Sequence, residues 1–180
     1  MENRNWPKWA VEAVEIEPPN PDWFEMGRAE VKELLHSLSP FGVKEVEHVG
    51  STAIRDLPAK PIIDVMAMVP SFDDLDEIAG RLGEDQWHFV PVELDTRPWR
   101  RFFIKVDNER RVAHLHLMLT GEPRWEQQRS FRDRLNVNPS LREEYAELKK
   151  HLAHQFSDDR EAYSEGKAAF IQRVLNTQNS

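Results

Sequence analysis

EHVGSTAIRDLPAKPIID, residues 47–64, sets a turn of small residues after one short apolar segment and an aspartate at the head of another. A turn built as Gly50-Ser51-Thr52 lets backbone N–H groups approach a phosphate closely, because glycine has no side chain in the way. Twelve residues separate Ser51 from Asp64, and an acid on a neighbouring strand can hold the divalent cation that accompanies a phosphate. The run Pro61-Ile62-Ile63-Asp64-Val65-Met66-Ala67-Met68-Val69 is apolar at odd and even positions alike. That pattern predicts a central strand covered on both faces. A carboxylate there is costly unless paired or metal-bound, so Asp64 is the first candidate for a functional residue.

Working outward, Asn20-Pro21 reads as an N-cap with a first-turn proline, and Phe24, Val31, Leu34, Leu35 and Leu38 recur at helical spacing. Strands are expected at about 43–49 and 62–69. A second helix opens at Ser71 and Asp74, buries Leu75, Ile78, Ala79 and Leu82, and stops at Gly83. Further strands are expected at 87–94, 99–106 and 112–119, the last two joined around Asp107-Asn108. Three helical segments complete the chain. They cover 123–135, a stretch from Asn138-Pro139 with Leu141, Tyr145, Leu148 and Leu152 inward, and a stretch after Ser157 with Tyr163, Phe170, Ile171 and Val174 inward. The order predicts an α+β fold, a mixed β-sheet flanked by helices with a helical C-terminal part.

With 180 residues and 39% hydrophobic content, the chain suits one core, so residues 1–180 are expected to form a single domain with residues 1–13 as an N-terminal extension. There is no cysteine, which excludes disulfides and thiolate catalysis. No apolar run approaches the ~20 residues of a membrane span. The opening MENRNWPKWA lacks the apolar core of a signal peptide, and the expected location is cytoplasmic. A net charge of −8 argues against bulk DNA binding, which needs clustered Lys and Arg. Oligomeric state leaves no signature in the sequence.

Between Arg97 and Arg111 the balance reverses, with six basic residues against Asp107 and Glu109. Such a stretch suits a small polyanion, although Arg110 and Arg111, beside the hairpin turn, read better as solvated charges. Arg101, Phe103 and Lys105 share one strand face and Arg100 lies on the other. Lys60, just ahead of the central strand, is placed to reach an anion. In 112–119 alternation puts His114 and His116 on one face, where two imidazoles can bind a metal or donate to phosphate. They meet Asp64 only if the two strands are neighbours.

The pattern of a hydrophobic residue, Gly-Ser, a spacer and Asp opening an apolar strand resembles the nucleotidyltransferase superfamily. The fuller string HVGSTAI…LPAKPIID, followed by His114-Leu115-His116, Phe131-Arg132-Asp133, Tyr145…Lys149 and Tyr163…Lys167, resembles its GrpB-like family, from Val14 to Leu175. The resemblance implies a nucleotidyltransferase-like fold, phosphate binding at Gly50, Ser51 and Thr52 with help from Lys60 and Arg101, and a divalent metal (Mg or Mn, with Zn as a further option) at Asp64. His114, His116 and Glu47 are further metal candidates, and Asp64 with His116 would be the catalytic pair. The ligand class it implies is an NTP or another phosphorylated small molecule. One position departs from the superfamily pattern. Asp-x-Asp or Asp-x-Glu is expected on that strand, and this chain has Asp64-Val65-Met66. Glu47 or Glu45 could supply the second carboxylate, the histidines could favour a softer metal, or the transfer chemistry is lost. Two readings follow, a metal-dependent nucleotidyltransferase and a non-catalytic nucleotide- or coenzyme-binding module; metal-dependent hydrolysis at a His/His/Asp site is a third. Arg132, Lys149 and Lys167, in the helical part, are expected to make surface pairs.

Overall fold

A computed structural model describes residues 6–177. Its strands are β1 (Val46–Val49), β2 (Ile63–Val69), β3 (Trp87–Val90), β4 (Arg100–Asp107) and β5 (Arg110–Leu119). The helices are α1 (Asp22–Leu38), α2 (Leu75–Gly83), a single turn α3 (Val92–Asp95), α4 (Arg124–Val137), α5 (Pro139–Gln155), α6 (Arg160–Glu165) and α7 (Ala168–Asn176). The sheet order is β1-β2-β5-β4-β3. β2 and β5 run parallel, and the other neighbouring pairs are antiparallel. The expected mixed α+β architecture is what forms, with β2 inside the sheet as its two apolar faces require.

Period-two alternation divides the sheet. Ile63, Val65, Ala67 and Val69 of β2 join Leu115, Leu117 and Phe103 in a core covered by Trp23, Leu34 and Leu38 of α1 and Ile78 and Leu82 of α2. Fully burying one such aliphatic chain contributes about 1.5–3 kcal/mol. The opposite face carries Met66 and Met118 against Trp125 of α4, and beside them Asp64, His114 and His116. A second core of Phe131, Leu135, Tyr145, Phe170 and Val174 joins α4, α5 and α7, and Ile54 and Leu57 of the β1–β2 connection plug into it. That connection is therefore packed between sheet and helices.

Three elements differ from the sequence expectation. β3 stops at Val90 because Pro91 offers no N–H for the ladder, and residues 92–95 wind into α3 instead. The hairpin turn uses Asn108 and Glu109, both in the left-handed region (φ 49° and 60°), as a two-residue connection of right-twisted strands demands. The last helical segment is two helices. Asp159 caps α6 by accepting from the Ala162 N–H at 3.0 Å, and Gly166 separates α6 from α7.

The N-terminal segment is laid along the body from residue 6 onward; the first five residues of the expected extension lie outside the described residues. Arg111 donates to the carbonyls of Trp9 (2.7 Å) and Ala10 (3.2 Å), Arg160 to that of Glu12 (2.8 Å), and Glu17 pairs with Ala59. No described helix is long and apolar enough to cross a membrane.

Candidate functional site

β2 and β5 are neighbours in a register that sets Asp64 opposite His114 and Met66 opposite His116. Both imidazoles reach the same carboxylate oxygen: His114 Nδ1 lies 3.4 Å and His116 Nε2 3.2 Å from Asp64 Oδ1. Burial alone would raise the Asp64 carboxyl, but the two histidines outweigh it and hold it well below the usual carboxylate range. Burial likewise lowers His114, to about 4, and His116. Near neutral pH the site is thus a carboxylate facing two neutral imidazoles. A carboxylate only accepts, so His116 Nε2, in hydrogen-bond contact with Oδ1, carries a proton.

The other nitrogen of His116 fixes the same assignment independently. Arg100 Nη1 is 2.6 Å from His116 Nδ1, and a guanidinium only donates, so Nδ1 accepts and Nε2 bears the hydrogen. Arg100 is held in turn by both oxygens of Asp95, at 3.0 and 2.5 Å. Asp64 Oδ2 has no partner among the described residues and lies beside Gly50, whose φ of 73° suits glycine. No group of three His, Asp or Glu placed to hold a metal occurs among the described residues.

After Gly50 the chain makes a short 3₁₀ turn, Ser51–Ala53. The Tyr145 hydroxyl of α5 neighbours Ser51, and burial pushes it up in pKa. Thr52 points inward. It is buried, its hydroxyl donates to the Ile62 carbonyl (3.5 Å) and accepts from His48 Nε2 (2.8 Å), so its side chain supports the turn rather than facing a ligand. The His48 ring packs where a β-carbon on Gly27 of α1 would sit, and burial lowers it to about 4.

Three lysines gather beside the site, Lys149 and Lys167 from the helical part and Lys60 from the β1–β2 connection. Lys149 is 1% exposed, its ammonium donates to the Pro58 carbonyl and it lies 5.2 Å from the Tyr145 ring centroid. Lys60 and Lys167, both half-buried, lie 4.9 and 4.5 Å from the Tyr163 ring centroid. None of the three meets a carboxylate at ion-pair distance among the described residues. Burial, joined by repulsion from Lys167 and Arg160, lowers Lys60 to about 7. Burial lowers Lys167 to about 8 and, with Lys167 and Lys60 adding repulsion, holds Lys149 well below the usual lysine range. Asp64 is the acid whose field reaches all three. Lys60 also lines a cleft of about 240 Å³ between the N-terminal segment and the start of β2, with Arg111 and Arg160.

The structure therefore brings together Gly50, Ser51, Lys60, Asp64, His114 and His116. It does not bring Arg101, which lies on the other sheet face, 4.2 Å from the Phe72 ring centroid. Glu47 stands opposite Met66 in register, but Arg132 (2.7 Å) and Arg129 (3.7 Å) engage it, and Arg132 also bonds the His48 carbonyl. The basic stretch is not one anion patch: Arg97 pairs with Glu161, Arg100 with Asp95, Lys105 with Glu30 and Arg110 with Glu12. Lys149 and Lys167, expected at the surface, are the residues that sequence reasoning misplaces. Their helical spacing, four residues after Tyr145 and Tyr163, is the available signal.

A family model described as GrpB protein matches residues 13–177. The glutamate-rich protein GrpB of Alkalihalophilus pseudofirmus is 35% identical over 147 residues, 81% of this chain and 84% of that protein. The crystal structure of the conserved protein GrpB from Enterococcus faecalis superposes with a TM-score of 0.77 at 27% identity, covering 89% of this chain and 94% of that one. The Cid1 poly(U) polymerase, solved with Mg and 3′-dATP, matches with a TM-score of 0.59 at 13% identity over 84% of this chain and 49% of its own; that likeness shows the fold alone. This chain belongs to the GrpB family and is built on the nucleotidyltransferase fold.

Proposed function

We propose that this protein binds the phosphate groups of a nucleoside triphosphate, or of a related phosphorylated small molecule, between the Gly50-Ser51 turn and Lys60, Lys149 and Lys167, with a divalent cation on Asp64. The observation that carries the reading is the lysine cluster. Three lysine amines, gathered over the Tyr145 and Tyr163 rings with no carboxylate at ion-pair distance among the described residues, are poorly solvated and are held below their ordinary pKa, an arrangement that a polyanion relieves by favouring their charged forms. Ser51 adds a hydroxyl next to Tyr145 at the same turn.

The donor set suits a hard cation. Asp64 offers an ionised oxygen, Oδ2, free of partners among the described residues, and Mg²⁺ commonly takes one or two carboxylates and completes its shell with ligand phosphates and water. Zn²⁺ is less well served, because one nitrogen of His116 donates to Asp64 and the other is taken by Arg100. The bound cation would supply charge neutralisation for the phosphates. Lys60, Lys149 and Lys167 orient them, and the histidines keep Asp64 ionised.

Nucleotidyl transfer is the second reading, favoured by the ionised Asp64 beside the turn. Binding without transfer is better supported, since Met66 replaces the second carboxylate and Glu47, its register neighbour, is occupied by Arg132. Incubation with labelled NTPs and Mg²⁺ in the presence of a pool of acceptor hydroxyls (RNA, protein and small molecules), with label transfer read beside pyrophosphate, separates the two. Saturable binding without pyrophosphate release supports the binding module, and pyrophosphate release lost in Asp64→Asn supports the transferase.

A further inference from the structure

We propose that Arg100, clamped by Asp95, is a positioning residue for Asp64: it fixes His116 as the Nε2–H tautomer, and His116 then pins Oδ1 so that Oδ2 is presented at the Gly50 turn. The significance for ligand binding rests on the reading of Asp64 as a cation ligand; the tautomer assignment stands on geometry alone.

Every nitrogen of the guanidinium is committed. Nε and Nη2 donate to the two oxygens of Asp95 (3.0 and 2.5 Å), which leaves Nη1 directed at His116 Nδ1 (2.6 Å). Arg100 is 6% and Asp95 7% exposed, and the guanidinium lies 3.8 Å from the Phe102 ring centroid. Trp99 stacks parallel to the His116 ring at 6.1 Å. Neither end of the imidazole is free to swivel. Asp95 sits at the end of α3, where Arg97 backs it at 3.7 Å and ties the same loop to Glu161 of α6 at 2.8 Å.

A simple staple between α3 and β4 does not need this chemistry. Well-packed apolar residues would hold those elements as firmly without the desolvation cost of a buried ion pair. What an apolar pair cannot do is dictate which imidazole nitrogen carries the proton. With Nδ1 protonated instead, Nε2 would turn a lone pair on Asp64 Oδ1, and the carboxylate would have to rotate away. Groups behind a metal ligand commonly change affinity by roughly ten- to hundred-fold when removed, through this kind of orientation.

The test is ¹⁵N NMR of the His116 ring in wild type, Asp64→Ala and Asp64→Ala/Arg100→Met, together with Mn²⁺ titration of wild type, Arg100→Lys, Arg100→Met and Asp95→Asn. The expected result is an Nε2–H tautomer in wild type and in Asp64→Ala, where Arg100 alone holds it, a switch or mixture in Asp64→Ala/Arg100→Met, and Mn²⁺ binding roughly ten- to hundred-fold weaker in Arg100→Met with Lys rescuing most of it. Asp95→Asn, the variant least able to disturb packing, gives an intermediate loss. A mixed tautomer in a folded Asp64→Ala protein, or an unchanged Mn²⁺ affinity in a folded Arg100→Met protein, overturns the relay. Wild type that keeps the Nε2–H tautomer but binds no Mn²⁺ defeats Asp64 as a cation ligand while supporting the Arg100–His116 assignment.

Discussion

A β-carbon on Gly50 would lie 2.7 Å from Asp64 Oδ2. The turn and the carboxylate are thus fitted to each other, and the free oxygen of Asp64 faces the backbone that opens the turn. Gly50→Ala should cost about 1–3 kcal/mol in a urea melt, from its positive φ and the close contact together, and should also weaken Mn²⁺ binding. A variant of unchanged stability and affinity would show that the two residues are not coupled.

Removing a buried charge that has no acidic partner should help the fold. Lys149→Met keeps the length of the chain and deletes the ammonium, so its Tm should equal or exceed that of the wild type while affinity for tripolyphosphate falls at least several-fold. A marked loss of Tm would mean that the bond to the Pro58 carbonyl, rather than ligand binding, explains the lysine.

The same lysines set a pH dependence with a definite sign. Lys60 and Lys167 titrate near 7 and 8 in the folded protein against an ordinary 10.5, so the unfolded chain binds more protons between about 7 and 10.5. Stability of the ligand-free protein should therefore gain a rising contribution across that window, and the penalty is fully present below it. Tripolyphosphate should flatten the slope and take up protons on binding near pH 7.5, readable as a buffer-dependent calorimetric heat.

On the acid side His48 and His114, both near 4 when folded against an ordinary 6.5, act in the opposite window. Their stabilising contribution is complete above 6.5 and is lost as pH falls towards 4, because the unfolded chain takes the protons first. His48→Gln should shallow the loss of urea midpoint between pH 6.5 and 4. An identical profile in the variant would place the acid sensitivity elsewhere.

Much of this site is legible in the amino-acid sequence. Alternation alone puts Asp64 with Met66 and Met68, and His114 with His116, because side chains in a strand strictly alternate. Whether those two faces coincide depends on β2 and β5 being parallel neighbours, a non-local pairing that no local period encodes. Arg101 illustrates the limit. Its sharing a face with Phe103 and Lys105 is legible, but only the register against Leu117 shows that the face looks away from Asp64. Lys149 and Lys167 escape a reading of the sequence because a charged residue in a helical pattern is usually solvated. Their place on the Tyr145 and Tyr163 stripes is unusual, and burial against the β1–β2 connection is a tertiary event. Arg111 escapes it for the same reason, since its partners are carbonyls of a segment about a hundred residues away.

Whether the lysine cluster is an anion site is read by isothermal titration of tripolyphosphate and ATP, each with and without Mg²⁺. The titrations compare wild type with Lys60→Met/Lys149→Met/Lys167→Met. Wild type should bind both saturably, more tightly with Mg²⁺ except in Asp64→Asn, and a triple variant that is folded and at least as stable should bind neither. A wild type that binds neither ligand, or a triple variant that binds as well as wild type, would contradict an anion site there.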